Sequence, residues 1–176
     1  MDIKNLKTKR LTLKNISADD REFILKQFSD DNVNRYLFDA EPFTSLEEAD
    51  ELIALFTKPQ PRAQHRWIIT LTQTGEKIGT CGFHLWNREK REMQIGYDLQ
   101  SAYWQKGYGY EAMQAVIDFI KNETDAIKVD ACIACENIAS IKLAEKLGFE
   151  FLGKTEILNF RGKDYLHRIY TLLLER

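Results

Sequence analysis

Hydrophobic and polar positions along the chain change period several times, and each change marks an element. In LKTKRLTLKNI, Leu11 and Leu13 alternate with polar neighbours, the two-residue period of a half-buried first strand. SADDREFILKQFSD switches to helical spacing, with Phe23, Ile24 and Phe28 on one side and Ser17 as the expected N-cap before an acidic first turn. DNVNRYLFDAEPF is irregular and carries several aromatics and Pro42. TSLEEADELIALFTK reads as a second helix, in which Thr44 and Glu47 have capping-box spacing and Leu46, Ala49, Ile53 and Phe56 share a side. KPQPRAQ ends it as a loop.

The period then returns to two. HRWIITLTQ, EKIGTCGFHLWN and REMQIGYDL are strand-like runs joined at Gln73-Thr74-Gly75 and Arg88-Glu89-Lys90, which predicts an antiparallel meander. From about Gly107 to Lys121 a helix places Met113, Val116, Ile117 and Ile120 in an apolar stripe, opposite Glu111, Asp118 and Lys121. AIKVDACIA is a short strand. ENIASIKLAEKLGF is a helix whose Leu147-Gly148-Phe149 end has the Schellman pattern. FEFLGKTEILNF and DYLHRIYTLLLER form a hairpin at Arg161-Gly162-Lys163. The order β-α-α-β-β-β-α-β-α-β-β predicts one α/β domain over residues 1–176, with a mixed, mostly antiparallel sheet.

Bulk properties remove several classes of function. Twenty-five basic and 27 acidic residues leave a net charge of -2, with no basic footprint for nucleic acid. No apolar run is long enough to span a bilayer, and MDIKNLKTKR lacks the apolar stretch of a secretory signal. Three cysteines, an odd number without framework spacing, fit a reducing cytoplasm. Cys132 and Cys135 form a lone C-x-x-C, and His65, His84 and His167 are scattered, so no metal is expected.

The local chemistry concentrates in YWQKGYGYEAMQAVIDFI. Gly107-x-Gly109-x-x-Ala112 imitates a dinucleotide-binding turn, and Asp130 follows at about the spacing of a ribose-binding acid. A dinucleotide fold needs repeated parallel β-α-β units around that turn, whereas here a hairpin meander precedes it and only one such unit is present. The physical content of the turn survives. Two glycines admit a close ligand, Lys106 adds charge, and the helix start offers unpaired N–H donors at the positive end of its dipole. That is a phosphate site, although an ordinary glycine-led helix start gives the same local pattern.

TKRLTLK, VNRYLF…FTSLEEADELI, TGEKIGTCGFHLWN, IGYDLQSAYWQKGYGYEA, ACENIASIKLAEKLGF and NFRGKDYLHRIYTLLLER, in this order, resemble the GNAT superfamily of N-acetyltransferases. The nearer likeness is to the branch of ribosomal-protein-alanine N-acetyltransferases and their relatives. The resemblance implies a GNAT-like central sheet with helices on both faces, and acetyl transfer from acetyl-CoA to a primary amine by direct attack in a ternary complex. It implies a bulged fourth strand, MQIGYDL, that splays from the fifth. Leu99 backbone groups would pair with the pantetheine amides. The N–H groups of Gln105, Lys106, Gly107, Tyr108, Gly109 and Tyr110 would hold the pyrophosphate, and Asn137 would bond the pantetheine. Trp104 departs from the Gln or Arg common in that motif.

The reaction needs three groups. An alkyl amine, with a pKa of about 10, must lose a proton. The thioester oxygen needs a donor, expected from a fourth-strand N–H at the bulge. The CoA thiolate needs a proton. Glu92 and Gln94 share a strand face; many relatives carry Glu where Gln94 stands, so Glu92 is the candidate base, directly or through water, and also reads as a solvated strand-end carboxylate. Glu111 reads as a dipole-capping residue. Many family members use a Tyr where Ala144 stands, whereas this branch carries a Ser, here Ser140, as donor to the thiolate or the thioester. Arg35, Tyr36 and Phe38 are the expected acceptor wall, facing a hairpin around Asn159-Phe160-Arg161. The acceptor is a small-molecule or peptide amine, and the resemblance leaves room for a homodimer. The absent Tyr and Glu leave one rival, a non-catalytic acyl-CoA-binding module.

Overall fold

The computed structural model describes residues 3–38 and 40–175. Its strands are β1 (Leu6–Lys7), β2 (Leu11–Asn15), β3 (His65–Leu71), β4 (Lys77–Asn87), β5 (Glu92–Leu99), β6 (Lys128–Ala134), β7 (Glu150–Phe160) and β8 (Lys163–Leu173). Its helices are α1 (Arg21–Ser29), α2 (Asp31–Asn34), α3 (Leu46–Thr57), α4 (Tyr108–Glu123) and α5 (Ile138–Lys146). The strands form one sheet in the order β1-β2-β3-β4-β5-β6-β8-β7. Every neighbouring pair among the described residues is antiparallel except β5 with β6.

Alternation sorts the side chains of the sheet into two cores. Trp67 and Ile69 of β3 pack with Leu11, Leu13, Phe83 and the stripe of α4, in a cluster that also takes in Ile141 and Ala144 of α5. Ile68, between them in sequence, packs with Ile24, Phe28, Val33, Ala49, Ile53 and Phe56 of α1, α2 and α3. Helices therefore cover both faces, as expected, and the meander β3-β4-β5 and the β7-β8 hairpin form where the sequence places them.

Three local expectations need correction. The first strand is a small hairpin, because the Thr8 N–H donates to the Leu11 carbonyl at 2.9 Å and the Thr8 hydroxyl accepts the Leu11 N–H at 3.0 Å, turning the chain back before β2. The capping box of α3 lies one residue later than Thr44-Glu47: Ser45 N–H donates to Glu48 at 3.0 Å and Glu48 N–H to Ser45 Oγ at 3.4 Å. Thr44 donates to the same Glu48 carboxylate, which explains the off-by-one reading. Within the segment read as irregular, α2 forms because Asp30 accepts from the Asn32 and Val33 N–H groups and Val33 buries. Ser17 does cap, with Asp20 closing its box, but it caps a 3-10 turn over Ala18–Asp20 that leads into α1. No helix among the described residues is long and apolar enough to cross a membrane.

Candidate functional site

β5 and β6 pair over only three residues, Glu92 to Gln94 against Lys128 to Asp130. Beyond that each strand follows its other neighbour: β5 stays with β4 as far as Leu99 opposite Gly79, and β6 stays with β8 as far as Ala134 opposite His167. The two strands part, and a cavity of about 1190 Å³ opens between them. Its closed end is held by Lys128, whose ammonium lies 3.3 Å from Glu92 and 3.2 Å from Asp130. Asp130 is buried and accepts from Thr171 at 2.7 Å. The acid at dinucleotide spacing is thus a structural anchor of the sheet.

The splay matches the expectation, but the bulge does not. β5 pairs with β4 without a break from Gln94 to Leu99; the extra residue lies on β4 between His84 and Asn87, where Leu85 has φ 52°. Gln100 N–H donates to Ile78 of β4, and the Leu99 carbonyl, pointing the opposite way, accepts from Trp104 Nε1 at 2.8 Å. Alternation along a strand then directs the backbone groups of Leu99 and Tyr97 toward the gap. Trp104 has a definite structural task here, closing the chain back on the end of β5.

The glycine turn lies at the open end. Gln105 and Gly107 both have left-handed backbones, with φ 59° and 80°. Gly107 N-caps α4, and Glu111 N–H is the donor that reaches back to its carbonyl, so Gly107, Tyr108, Gly109 and Tyr110 sit where a helix start leaves N–H groups unpaired. Gly109 is buried as well: a Cβ there would lie 3.1 Å from Leu143 and 3.4 Å from Tyr97, so its smallness also lets α4 pack on β5 and α5. Arg10 was not anticipated. From the β1-β2 turn it donates to the Lys106 carbonyl at 2.9 Å and to Glu111 at 2.6 Å, with its guanidinium 4.4 Å from the Tyr108 ring centre. Burial pushes the Glu111 carboxyl up, but hydrogen bonds from Thr8 and Arg10 outweigh it and hold the group below its usual range. Glu111 therefore ties the turn to the first hairpin, beyond its place near the helix dipole.

Across the gap, Asn137 N-caps α5 and accepts the Ser140 N–H at 3.2 Å. Ser140 Oγ lies 3.0 Å from the Tyr97 hydroxyl. Leu99, Gly109, Asn137 and Ser140 all line the cavity, as do Gln105, Gly107, Tyr108 and Tyr110; Lys106 is exposed beside them.

At the other end, Arg35, Tyr36 and Phe38 line the same cavity. Phe38 stacks on Tyr165 with centroids 3.7 Å apart and meets His167 edge-on at 5.8 Å. Arg161 of the last hairpin donates to Glu41 at 2.9 Å, so the segment after α2 is pinned across the sheet to β7-β8. Glu92 is not brought here; it stays at the closed end with Lys128. The carboxylates that do line the cavity are Glu41, Asp98, Glu136 and Glu156. Asp98 is bonded to Thr80, Gln27 and Arg66, and Glu41 to Arg161. Glu136 and Glu156 remain. Glu156 stands opposite His167, whose ring meets Phe38, in the β7-β8 ladder, while Glu136 directly precedes the cap of α5. No sequence signal marks Glu156, because its strand is exposed almost throughout and has no alternating pattern. Among the described residues no group of His, Cys, Asp and Glu could hold a metal ion, and the three cysteines are free thiols.

Two splayed strands meet a glycine-led helix start, with a capped second helix opposite, and together they enclose one cleft. The acetyltransferase (GNAT) domain family matches residues 10–150, and the chain belongs to that family. It is an acetyl-CoA-dependent N-acetyltransferase. It is 34% identical over 149 residues to the uncharacterized N-acetyltransferase p20 of Bacillus licheniformis, covering 84% of this chain and 83% of that one. It is 31% identical to the uncharacterized N-acetyltransferase YoaA of Bacillus subtilis over 97% of both chains. In fold it is similar to a spermidine N-acetyltransferase from Vibrio cholerae solved with CoA and spermine, with TM-score 0.83, 22% identity and coverage of 94% and 96%.

Proposed function

We propose that the protein transfers an acetyl group to a primary amine by direct attack in a ternary complex, with acetyl-CoA in the β5-β6 gap and the amine entering from the Phe38 side. The observation that carries this reading is the single cavity wall that runs from the Gly107 turn, past Tyr97 and Ser140, to Phe38, Glu156 and His167. The pyrophosphate sits on the N–H groups from Gln105 to Tyr110, where the helix dipole also favours negative charge. The pantetheine lies along Leu99 and Asn137. Gap-facing backbone N–H groups of β5 serve as donors to the thioester oxygen. Ser140 protonates the departing thiolate.

For the base, Glu156 replaces Glu92 in this reading. It is a cavity carboxylate without an ion pair among the described residues, and it sits on the acceptor side, where it both attracts an ammonium and takes its proton. A polyamine and a peptide N-terminus both satisfy that chemistry. Spermine bound to the Vibrio cholerae enzyme makes polyamines the first class to test. The test is thiol release from acetyl-CoA with spermidine, with peptides beginning Ala or Ser, and with aminoglycosides. We expect release with at least one amine and acceptor-dependent mass gain of one acetyl group. CoA-induced thermal stabilisation without release on any acceptor would overturn transfer and leave only binding.

A further inference from the structure

The cavity holds one hydroxyl pair that the reaction as described uses only in half. Ser140 is in the first turn of α5, and its backbone is fixed by the Asn137 cap. Serine in a helix commonly turns its hydroxyl back onto the carbonyl one turn earlier. Here Ser140 Oγ instead meets Tyr97 Oη at 3.0 Å, across the gap and 43 residues away in sequence. Tyr97 comes from β5 just past the point where the strand leaves β6, and its ring packs over Gly109 of the phosphate turn. The contact therefore joins the three elements that enclose the thioester.

A hydroxyl carries one proton and two acceptor lone pairs. A phenol is a stronger acid than an alcohol and is the better donor of the two. Burial pushes the Tyr97 hydroxyl further up, opposed by its bond to Ser140, so it stays protonated and able to donate at neutral pH.

We propose that Tyr97 is a positioning residue for thiolate protonation: its phenol donates to Ser140 Oγ and so turns the serine proton toward the sulfur of the bound thioester. This rests on the acetyltransferase reading of the cavity. The step balances without a proton leaving Tyr97. The amine nitrogen forms a C–N bond to the acetyl carbon and gives its proton to the base, the C–S bond breaks, and the sulfur takes the proton offered by Ser140. Ser140 recovers a proton from solvent or from the base. Tyr97 selects which way the serine hydroxyl points.

The test is a cycle of Tyr97→Phe, Ser140→Ala and the double variant. Each is assayed with the amine from the panel above that wild type acetylates, using acetyl-CoA and the matching selenoester, whose selenolate is the weaker base and leaves with less help. Phenylalanine keeps the ring that packs on Gly109. We expect Tyr97→Phe to lower kcat about fivefold at unchanged KM for acetyl-CoA, the size of one neutral hydrogen bond. The loss disappears in the Ser140→Ala background and shrinks with the selenoester. An equal loss with both esters, or the same loss without Ser140, overturns positioning in favour of packing, and an unchanged kcat overturns any role. Wild type that releases no thiol with any panel amine overturns the reading of the cavity and this proposal together.

Discussion

At the open end of the gap, near the Gly107 turn, the groups offered to a ligand are backbone N–H groups presented by a helix start. At the Phe38 end they are side chains, and each arrives from a different part of the chain. Phe38 follows α2, Glu41 reaches Arg161 across 120 residues, and Glu156 and His167 come from paired strands of the last hairpin. A backbone site is fixed once its turn and helix form, since every donor lies within a few residues of the next. A side-chain site exists only after the sheet has assembled. On the proposed function, the first end suits a constant co-substrate, and the second can change its acceptor by exchanging side chains without disturbing the fold.

The sharpest way to break this contrast is Gly107→Val. Gly107 has φ 80°, and a Cβ there would lie 3.3 Å from the Arg10 guanidinium. A branched residue in that left-handed conformation costs roughly 1–3 kcal/mol, and relaxing it would turn the N–H groups away from the pyrophosphate. We expect acetyl-CoA affinity to fall by at least about tenfold, with much less change in the amine KM, measured by calorimetry and steady-state kinetics. Undiminished acetyl-CoA binding would show that the turn is not the phosphate seat.

The same contrast explains what the sequence revealed. The glycine-led start of α4 was legible because glycines and helix starts act within one or two turns, whereas Asn137 and Ser140 were read only through the family resemblance. The splay followed from the family pattern, but its physical cause is a choice of partners, β4 for one strand and β8 for the other, that local pattern does not encode. Arg10 and Tyr97 were missed for a related reason. Arg10 looks like one more basic residue in KTKR, and Tyr97 like a strand aromatic, until α4 and α5 bring their partners Lys106 and Ser140 within reach. Glu92 was favoured by its nearness in sequence to Gln94, yet Lys128 of the adjoining strand holds it at the closed end.

A second comparison sets those two carboxylates against each other. Glu156→Gln should lower kcat/KM by about a hundredfold, because an amide takes no proton from the amine. Glu92→Gln disturbs only a half-exposed ion pair, and we expect it to stay within about twofold of wild type. The reverse ranking would move the proton acceptor to the closed end of the gap, and equal small effects would point to water as the base.

The smallest effect concerns how the backbone end is held in place. Glu111 accepts from Thr8, from Arg10 N–H and from the Arg10 guanidinium, which also donates to the Lys106 carbonyl, so the carboxylate helps strut the glycine turn against the first hairpin. Its folded carboxyl lies below the ordinary value of 4.5. A lowered carboxyl contributes stability above its unfolded value and loses it as pH falls through the folded one. Glu111→Gln should therefore melt a few degrees below wild type at neutral pH, and the two curves should converge on acidification to below the carboxylate range. Because Glu111 is partly solvated, the difference should also narrow in high salt. A gap in melting temperature that persists at low pH would mean that the strut acts through packing of Arg10 on Tyr108 and not through charge. Either outcome bears on the phosphate turn alone, and acceptor KM should not move.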